Sequence, residues 1–289
     1  MAQSNSMSAV LYTNYGAPHI LSGTIIASLV FLIIAGGLKR IAEVTARLVP
    51  FMAILYFIAA MVVILLNIES LGPSMALIFS DAWTGTAATG GFIGSAFILA
   101  MTMGIRRGLF SNEAGQGSAP MAHAAAKTKY PIRQGLAASL EPFIDTIIIC
   151  TLTAMVVIMT GAWKSGIQGV GMTVLAFETG LAPINLGGLA PHIIAVVLLL
   201  FAFSTIIAWS YYGSRAVNYL LGEKAIKPYY YIYALFVFFG AIWGIDLVWN
   251  FVDMVITFMT IPNLIAIILL TPVLQKEVRE YFGSDQWKS

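Results

Sequence analysis

The residues with the most chemistry to offer fall in one short stretch, Gly104-Ile-Arg-Arg-Gly-Leu-Phe-Ser-Asn-Glu-Ala-Gly-Gln-Gly117. Arg106, Arg107 and Glu113 stand there with the hydrogen-bonding side chains of Ser111 and Asn112, among glycines at 104, 108, 115 and 117, and apolar sequence flanks them on both sides. Charges at membrane depth are costly and are usually paired. Glu113 is therefore expected to brace Arg106 or Arg107, with direct substrate contact by the arginines as the other reading. Glycine permits the dihedral angles of unwound backbone. Where a helix stops it presents free carbonyls, and where one starts it presents free N–H groups. The first attract cations and ammonium groups, the second carboxylates. Phe110, Ser111 and Asn112 fall where the backbone should unwind. Phe110 either walls a pocket or simply packs; Ser111 and Asn112 either bond a substrate or ion or cap the break.

Three further groups carry polar chemistry inside apolar sequence. Glu141 and Asp145 are four residues apart and share a helix face. They either pair with the arginines or form a proton or cation pathway, and Asp253 is a similar case further on. Ser204, Thr205 and Trp209 interrupt a very apolar run, with Thr205 and Trp209 on one helix face. Sodium prefers oxygen ligands, which adjacent hydroxyls and carbonyls supply; alternatively Ser204 and Thr205 bond back to their own helix. Cys150 is the single cysteine, and His19, His123 and His192 are far apart in the chain. That pattern offers neither a disulfide framework nor a zinc-ligand spacing. It shows no nucleophile–base constellation either, so an enzyme is not expected.

The elements that must position these residues are membrane-spanning helices. Of 289 residues, 59% are hydrophobic and 10% charged, against about a quarter charged in an average globular chain. A mean hydropathy of +0.88 leaves too much apolar surface for one soluble core. The net charge of +2 is too small to suggest a nucleic-acid partner. Apolar runs predict seven crossings, over about 20–37, 50–68, 90–126, 134–163, 188–218, 228–244 and 247–274. Every second connection is basic: Lys39, Arg40 and Arg47; Lys127, Lys129 and Arg133; Arg215, Lys224 and Lys227; Lys276, Arg279 and Lys288. Basic residues mark the cytoplasmic side, so one orientation, amino terminus outside, satisfies all seven crossings of a multi-pass protein of the cytoplasmic membrane.

The third crossing contains the polar stretch. After it, 118–126 is alanine-rich and only long enough for about 14 Å of helix, half the hydrocarbon thickness. A loop between two full spans would break the charge alternation. The economical solution is one crossing made of two half-helices, with irregular backbone buried in protein or lining a wet cavity. Discontinuous helices of this kind are a recurring device of secondary transporters. The other reading makes the arginines a cytoplasmic loop and lays 118–126 on the membrane surface.

The run Arg107-Gly-Leu-Phe-Ser-Asn-Glu-Ala-Gly-Gln-Gly-Ser-Ala-Pro-Met-Ala-His-Ala-Ala-Ala-Lys-Thr128 closely resembles the signature of the alanine or glycine:cation symporter family. Phe143-Ile-Asp-Thr146, Phe201-Ala-Phe-Ser-Thr205, Trp209-Ser-Tyr-Tyr-Gly213, Ile261-Pro-Asn-Leu264 and Gln3-Ser-Asn-Ser6 fit the same resemblance, which covers nearly the whole chain. It implies an all-α integral membrane protein with the five-plus-five inverted-repeat fold of the leucine-transporter type, one transmembrane domain over 1–289. On that scheme 1–68 ends the first repeat, 90–275 forms the second, and 276–289 is a cytoplasmic tail. The amino-terminal helices, including the other broken one, are expected to be missing. The resemblance further implies symport of alanine or glycine with sodium as the coupling ion and no other cofactor or metal. It suggests Gln3, Phe110, Ser111, Asn112, Thr205 and Trp209 for the substrate, and it is compatible with Ser204 and Thr205 as sodium ligands. The alternatives are a truncated, non-transporting membrane fragment or accessory subunit, and a channel lined by Arg106 and Arg107.

The charge alternation makes a direct prediction. With Cys150 replaced by alanine, cysteines at Ser70 and Ser165 are expected to react with an impermeant thiol reagent from outside the cell. Cysteines at Lys127 and Lys224 should react only after permeabilisation. Labelling of the Ser70 and Lys127 sites from the same side would contradict a single crossing between them.

Overall fold

In hydrocarbon each backbone N–H and C=O must find a partner within the chain, and a run of Leu, Ile, Val, Phe and Ala meets that demand as helix. The computed structural model describes residues 1–83, 93–111, 113 and 115–284, with side chains at 82–97, 99, 100, 109 and 110 outside that description. The described residues contain helices and turns and no strand. The helices are α1 (Ala2–Tyr15), α2 (His19–Ile34), α3 (Gly37–Leu66), α4 (Leu71–Trp83), α5 (Ile93–Ser111), α6 (Ala119–His123), α7 (Pro131–Met159), α8 (Val170–Leu181), α9 (Ala190–Leu221), α10 (Ile226–Ile242) and α11 (Ile245–Gly283). Five of them, α3, α7, α9, α10 and α11, are long and apolar enough to cross a membrane, while α2 and α8 are shorter apolar helices.

Several boundaries differ from the sequence reading. The expected break began at Gly104, yet α5 continues through Gly104 and Gly108 to Ser111. Glycine lowers helix propensity by only about 1 kcal/mol, and neither glycine takes a positive φ, whereas Gly115 (84°) and Gly117 (90°) do. The second half-helix, α6, is five residues rather than nine. The first basic connection is itself helical: Lys39, Arg40 and Arg47 lie in α3, with Pro50 inside that helix. Transmembrane helices tolerate proline where neighbouring groups satisfy the freed carbonyl. Helices α4 and α8 occupy stretches read as connections, and α11 runs on to Gly283 through much of the expected tail.

The chain divides into two compact units, Met1–Leu99 with Cys150–Trp249, and Ala100–Ile149 with Asn250–Ser289. The first is an apolar bundle. Its core joins Met7 of α1, Ile26, Val30 and Ile34 of α2, Ile41 of α3, Ile206 and Ile207 of α9, and Val237 of α10. Polar side chains pin the helix ends. Asn5 donates to the carbonyls of Gly240 (3.0 Å) and Trp243 (2.8 Å), which lie at the end of α10 where carbonyls lack helical partners. Asn67, just past α3, donates to Val63 O (2.8 Å) and Gly180 O (3.0 Å). Tyr233 donates to Ile206 O at 2.6 Å, and the hydroxyls of Tyr56 and Thr153 bond each other. Without a hydrophobic drive between helices in lipid, such bonds and close backbone approach carry the packing.

Gly180 shows how close that approach is. A Cβ there would meet Val63 Cγ1 at 2.4 Å and Thr160 Cγ2 at 3.2 Å. Gly180→Ala is expected to destabilise the bundle by about 1–3 kcal/mol through overpacking. Val63→Ala in the same chain should recover part of the loss. The measurement is the thermal midpoint of the purified protein in detergent, and equal midpoints for Gly180→Ala and the parent would contradict the contact.

Candidate functional site

The second unit is held together differently. Among the described residues, its buried apolar side chains are Ile132 and Tyr281 alone. What links its helices is polar. Arg107 on α5 donates from Nη2 to Asp253 Oδ2 on α11 at 3.2 Å, an ion pair. Ser111, the last residue of α5, donates to Asp145 Oδ2 on α7 at 2.5 Å. His123 on α6 bonds Gln134 (2.8 Å) through Nδ1, and its Nε2 lies 3.7 Å from Glu141 Oε2. Arg133 donates to the hydroxyl of Tyr281 at 3.0 Å.

The break itself lies against α11. Between Ser111 and Ala119 the described residues leave the helix. The positive φ of Gly115 and Gly117 folds the backbone in a way that residues carrying a Cβ resist. A Cβ on Gly117 would stand 3.3 Å from the side chain of Asn263, and one on Gly115 3.9 Å from Leu264. Gln116 and Ser118 are each 1% exposed, and the Ser118 hydroxyl has no partner among the described residues. Both stand in the irregular segment ahead of α6, where buried polar groups call for hydrogen-bond partners.

Helix α11 presents a polar stripe to this unit. Asn250, Asp253, Thr257 and Thr260 recur at helical spacing and, with Arg106 of α5, line a groove of about 420 Å³. The hydroxyls of Thr257 and Thr260 donate to the carbonyls of Asp253 and Ile256, which leaves their oxygens as acceptors. Helix α7 has an irregularity of its own: Phe143–Ile149 forms a π-helical stretch that contains Asp145. Single π turns inside α-helices are frequent at functional sites.

The residues singled out in the sequence separate between the units. In the first unit, Gln3 is half-buried on α1, and Ser204, Thr205 and Trp209 lie on α9, against which α1 packs. Ser204 and Thr205 both donate to Phe201 O at 2.9 Å, and Ser204 also approaches the sulfur of Met52 at 3.7 Å. Trp209 packs its ring against Tyr212, with centroids 5.8 Å apart. In the second unit, Arg107 meets Asp253, Asp145 meets Ser111, and Glu141 meets His123. Arg106 lines the groove, and Glu113 is half-buried in the irregular segment. The Phe110 side chain and Asn112 lie outside the described residues. The sequence reading missed the groove on α11 and the π-helical stretch. Asn250, Asp253, Thr257 and Thr260 at i, i+3, i+7 and i+10 were a legible signal for the groove; nothing local announced the π-helix.

With this geometry in hand, the chain can be set beside known proteins. It is 42% identical over 97% of its length to an uncharacterized transporter of Haemophilus influenzae, of which it covers 61%. It is 38% identical, again over 97% of its length, to the sodium/alanine symporter AgcS of Methanococcus maripaludis, covering 61% of that protein. To the probable sodium/glutamine symporter GlnT of Bacillus subtilis it is 36% identical over 96% of its length and 57% of that protein's. The chain thus spans about three fifths of the length of these curated relatives. The profile of the sodium:alanine symporter family matches residues 1–288. Five membrane-length apolar helices agree with that match, and the chain belongs to the sodium:alanine symporter family.

Proposed function

We propose that the chain forms the helical body of a carrier that moves a small neutral amino acid, alanine or glycine, together with sodium across the cytoplasmic membrane by alternating access. The observation that carries the reading is the end of α5 at Ser111 followed by irregular backbone, among helices long enough to span a bilayer. In general a helix end can turn carbonyls toward a cation or ammonium group, and a helix start can turn N–H groups toward a carboxylate. Secondary transporters bind substrate and ion at breaks of this kind. The names of the relatives support the substrate class: one is a sodium/alanine symporter, another a probable sodium/glutamine symporter.

On this reading Phe110, Ser111 and Asn112 at the break, with Gln3, Thr205 and Trp209, contact the amino acid. Ser204 and Thr205 offer hydroxyl oxygens to sodium. Both hydroxyls donate to Phe201 O, and a hydroxyl oxygen that donates its hydrogen keeps lone pairs for a cation. Residues 90–275 form the second of two inverted repeats, and 1–68 the end of the first.

In reconstituted vesicles an inward sodium gradient is expected to drive uptake of labelled alanine, and a choline gradient to drive none. Equal uptake under both gradients, or no sodium-dependent binding of alanine at all, would overturn the reading.

Size selectivity gives a sharper prediction. Phe110 and Trp209 are bulky, and if they wall the side-chain pocket they admit a hydrogen or a methyl group and little more. A buried methylene contributes about 0.8 kcal/mol, so larger amino acids are kept out by overlap, of order 1–3 kcal/mol in packed sites. Trp209→Ala or Phe110→Ala should let valine or leucine compete with labelled alanine while alanine itself binds more weakly. Variants that lose activity but keep the parental size order would remove both residues from the pocket.

A further inference from the structure

At one end of the first unit, cationic side chains gather without carboxylates to answer them. Helices α2 and α10 run antiparallel along each other. A Cβ on Gly23 would stand 3.0 Å from Ala241 Cβ, and the rings of Phe31 and Tyr231 lie 4.9 Å apart. Advancing along α2 from Gly23 to Phe31 thus means retreating along α10 from Ala241 to Tyr231. The same step carried on brings the α2–α3 turn, with Lys39 and Arg40 just after it, level with Lys224 and Lys227 at the start of α10. The Arg40 stem folds back over that turn, where a Cβ on Gly36 would meet its Cδ. Helices α3 and α9 are tied in at the same end. Ile41, Tyr211 and Tyr230 share one apolar cluster, and the Arg215 guanidinium stands 4.8 Å from the centre of the Tyr211 ring. Lys39, Arg40, Arg215, Lys224 and Lys227 are all exposed, and among the described residues none of them forms an ion pair, although Glu43 and Glu223 are close by in the chain. The opposite end of the α2–α10 pair, at Pro18, His19 and Trp243, carries no lysine or arginine. Beside the cations, Tyr219, Leu220 and Leu221 in the last turn of α9 are 89%, 74% and 74% exposed, and Leu32 of α2 and Tyr231 and Leu235 of α10 are exposed too. The apolar span that contains α10 begins at Glu223. Cations and tyrosines therefore mark the polar boundary of a lipid-facing surface.

We infer that the α2–α3 turn and the α9–α10 connection together form a binding site for an anionic phospholipid, whose phosphate is held by Arg40, Arg215, Lys224 and Lys227 and whose acyl chain lies over Leu32 and Tyr231. Basic clusters at the membrane boundary attract anionic headgroups. A headgroup with a net negative charge supplies the counter-charge that these cations lack within the first unit. A zwitterionic headgroup brings a cation of its own and gains less. A soluble phosphate would meet the cations but leave the apolar surface beside them unused. Arg215 is the anchor of the set, since the Tyr211 ring holds its guanidinium in place and Tyr211 is itself buried. The site uses none of the residues proposed above for alanine or sodium, and it holds or fails independently of that reading.

The test is native mass spectrometry of the whole chain in a neutral detergent, titrated with phosphatidylglycerol, with phosphatidylcholine of the same acyl chains, and with inorganic phosphate. The wild type is expected to retain phosphatidylglycerol at concentrations where phosphatidylcholine is lost, and excess inorganic phosphate should not displace it. Arg215→Gln and Lys227→Gln should each weaken phosphatidylglycerol binding by about fivefold. Lys164→Gln is the charge-matched control. Lys164 follows Thr160, which packs with Gly180 and Val63 near the far end of α3 from Arg40, and its loss should leave the binding unchanged. Equal retention of the two lipids by the wild type would reduce the surface to ordinary lipid contact and overturn the site; that comparison needs no variant and decides even if one of them does not fold. Displacement by inorganic phosphate would show a phosphate site without a place for the acyl chain, and also overturns it. So does a Lys164→Gln protein weakened as much as Arg215→Gln, which would make net charge, and not this cluster, the cause.

Discussion

An unsatisfied backbone group in hydrocarbon costs several kcal/mol, and the structure is organised around the place where that cost is incurred. Helix α5 stops at Ser111. Past it, Gly115 and Gly117 turn with positive φ, and the turn lies against Asn263 and Leu264, next to Pro262. Proline at 262 itself removes one hydrogen bond from α11. Two interruptions of regular backbone therefore meet, each supplying polar groups to the other's surroundings. Buried Gln116 and Ser118 add side-chain polarity at the same level.

The two units answer this demand with different means. The first buries Val30, Ile34, Ile207 and Val237 almost completely and lets a few asparagines and tyrosines tie helix ends. Close packing of that kind gives a bundle few alternative arrangements. The second has scarcely any apolar interior among its described residues and relies on Arg107–Asp253, Ser111–Asp145, His123–Glu141 and Arg133–Tyr281. Single polar links between membrane helices contribute about 0.6 kcal/mol on average. Where such links stand in for a core among the described residues, a unit is more easily rearranged, and moving elements of proteins are drawn from such low-stability regions.

The apolar runs made the helices legible, because hydropathy over a membrane length is a local property of the sequence. The existence of a break was legible for the same reason: charges and glycines interrupt an otherwise apolar run. Its starting point was not, since Gly104 and Gly108 carry a cost in helix too small to end one, and only the backbone angles at Gly115 and Gly117 show where the turn falls. The pairing of Arg107 was equally hidden. Asp253, a carboxylate it meets, is 146 residues away, a separation that no local pattern in the chain announces. The amphipathic pattern of Asn250, Asp253, Thr257 and Thr260 was present to be read, but the hydropathy of α11 masked it. Helix α8, with Phe177 fully buried, looked like a connection because its apolar stretch is too short to span a bilayer.

The central claim is that the backbone at Gly115, Gln116, Gly117 and Ser118, with Gln116 and Ser118 buried, opens to water and ligand during transport. Amide hydrogen exchange of the protein in nanodiscs tests it most directly. The amides of Gly115, Gln116, Gly117 and Ser118 are predicted to exchange much faster than those of α7 and the body of α5, and to slow when alanine and sodium are supplied together. Protection of those four amides equal to that of the flanking helices, or exchange indifferent to alanine and sodium, would contradict the account.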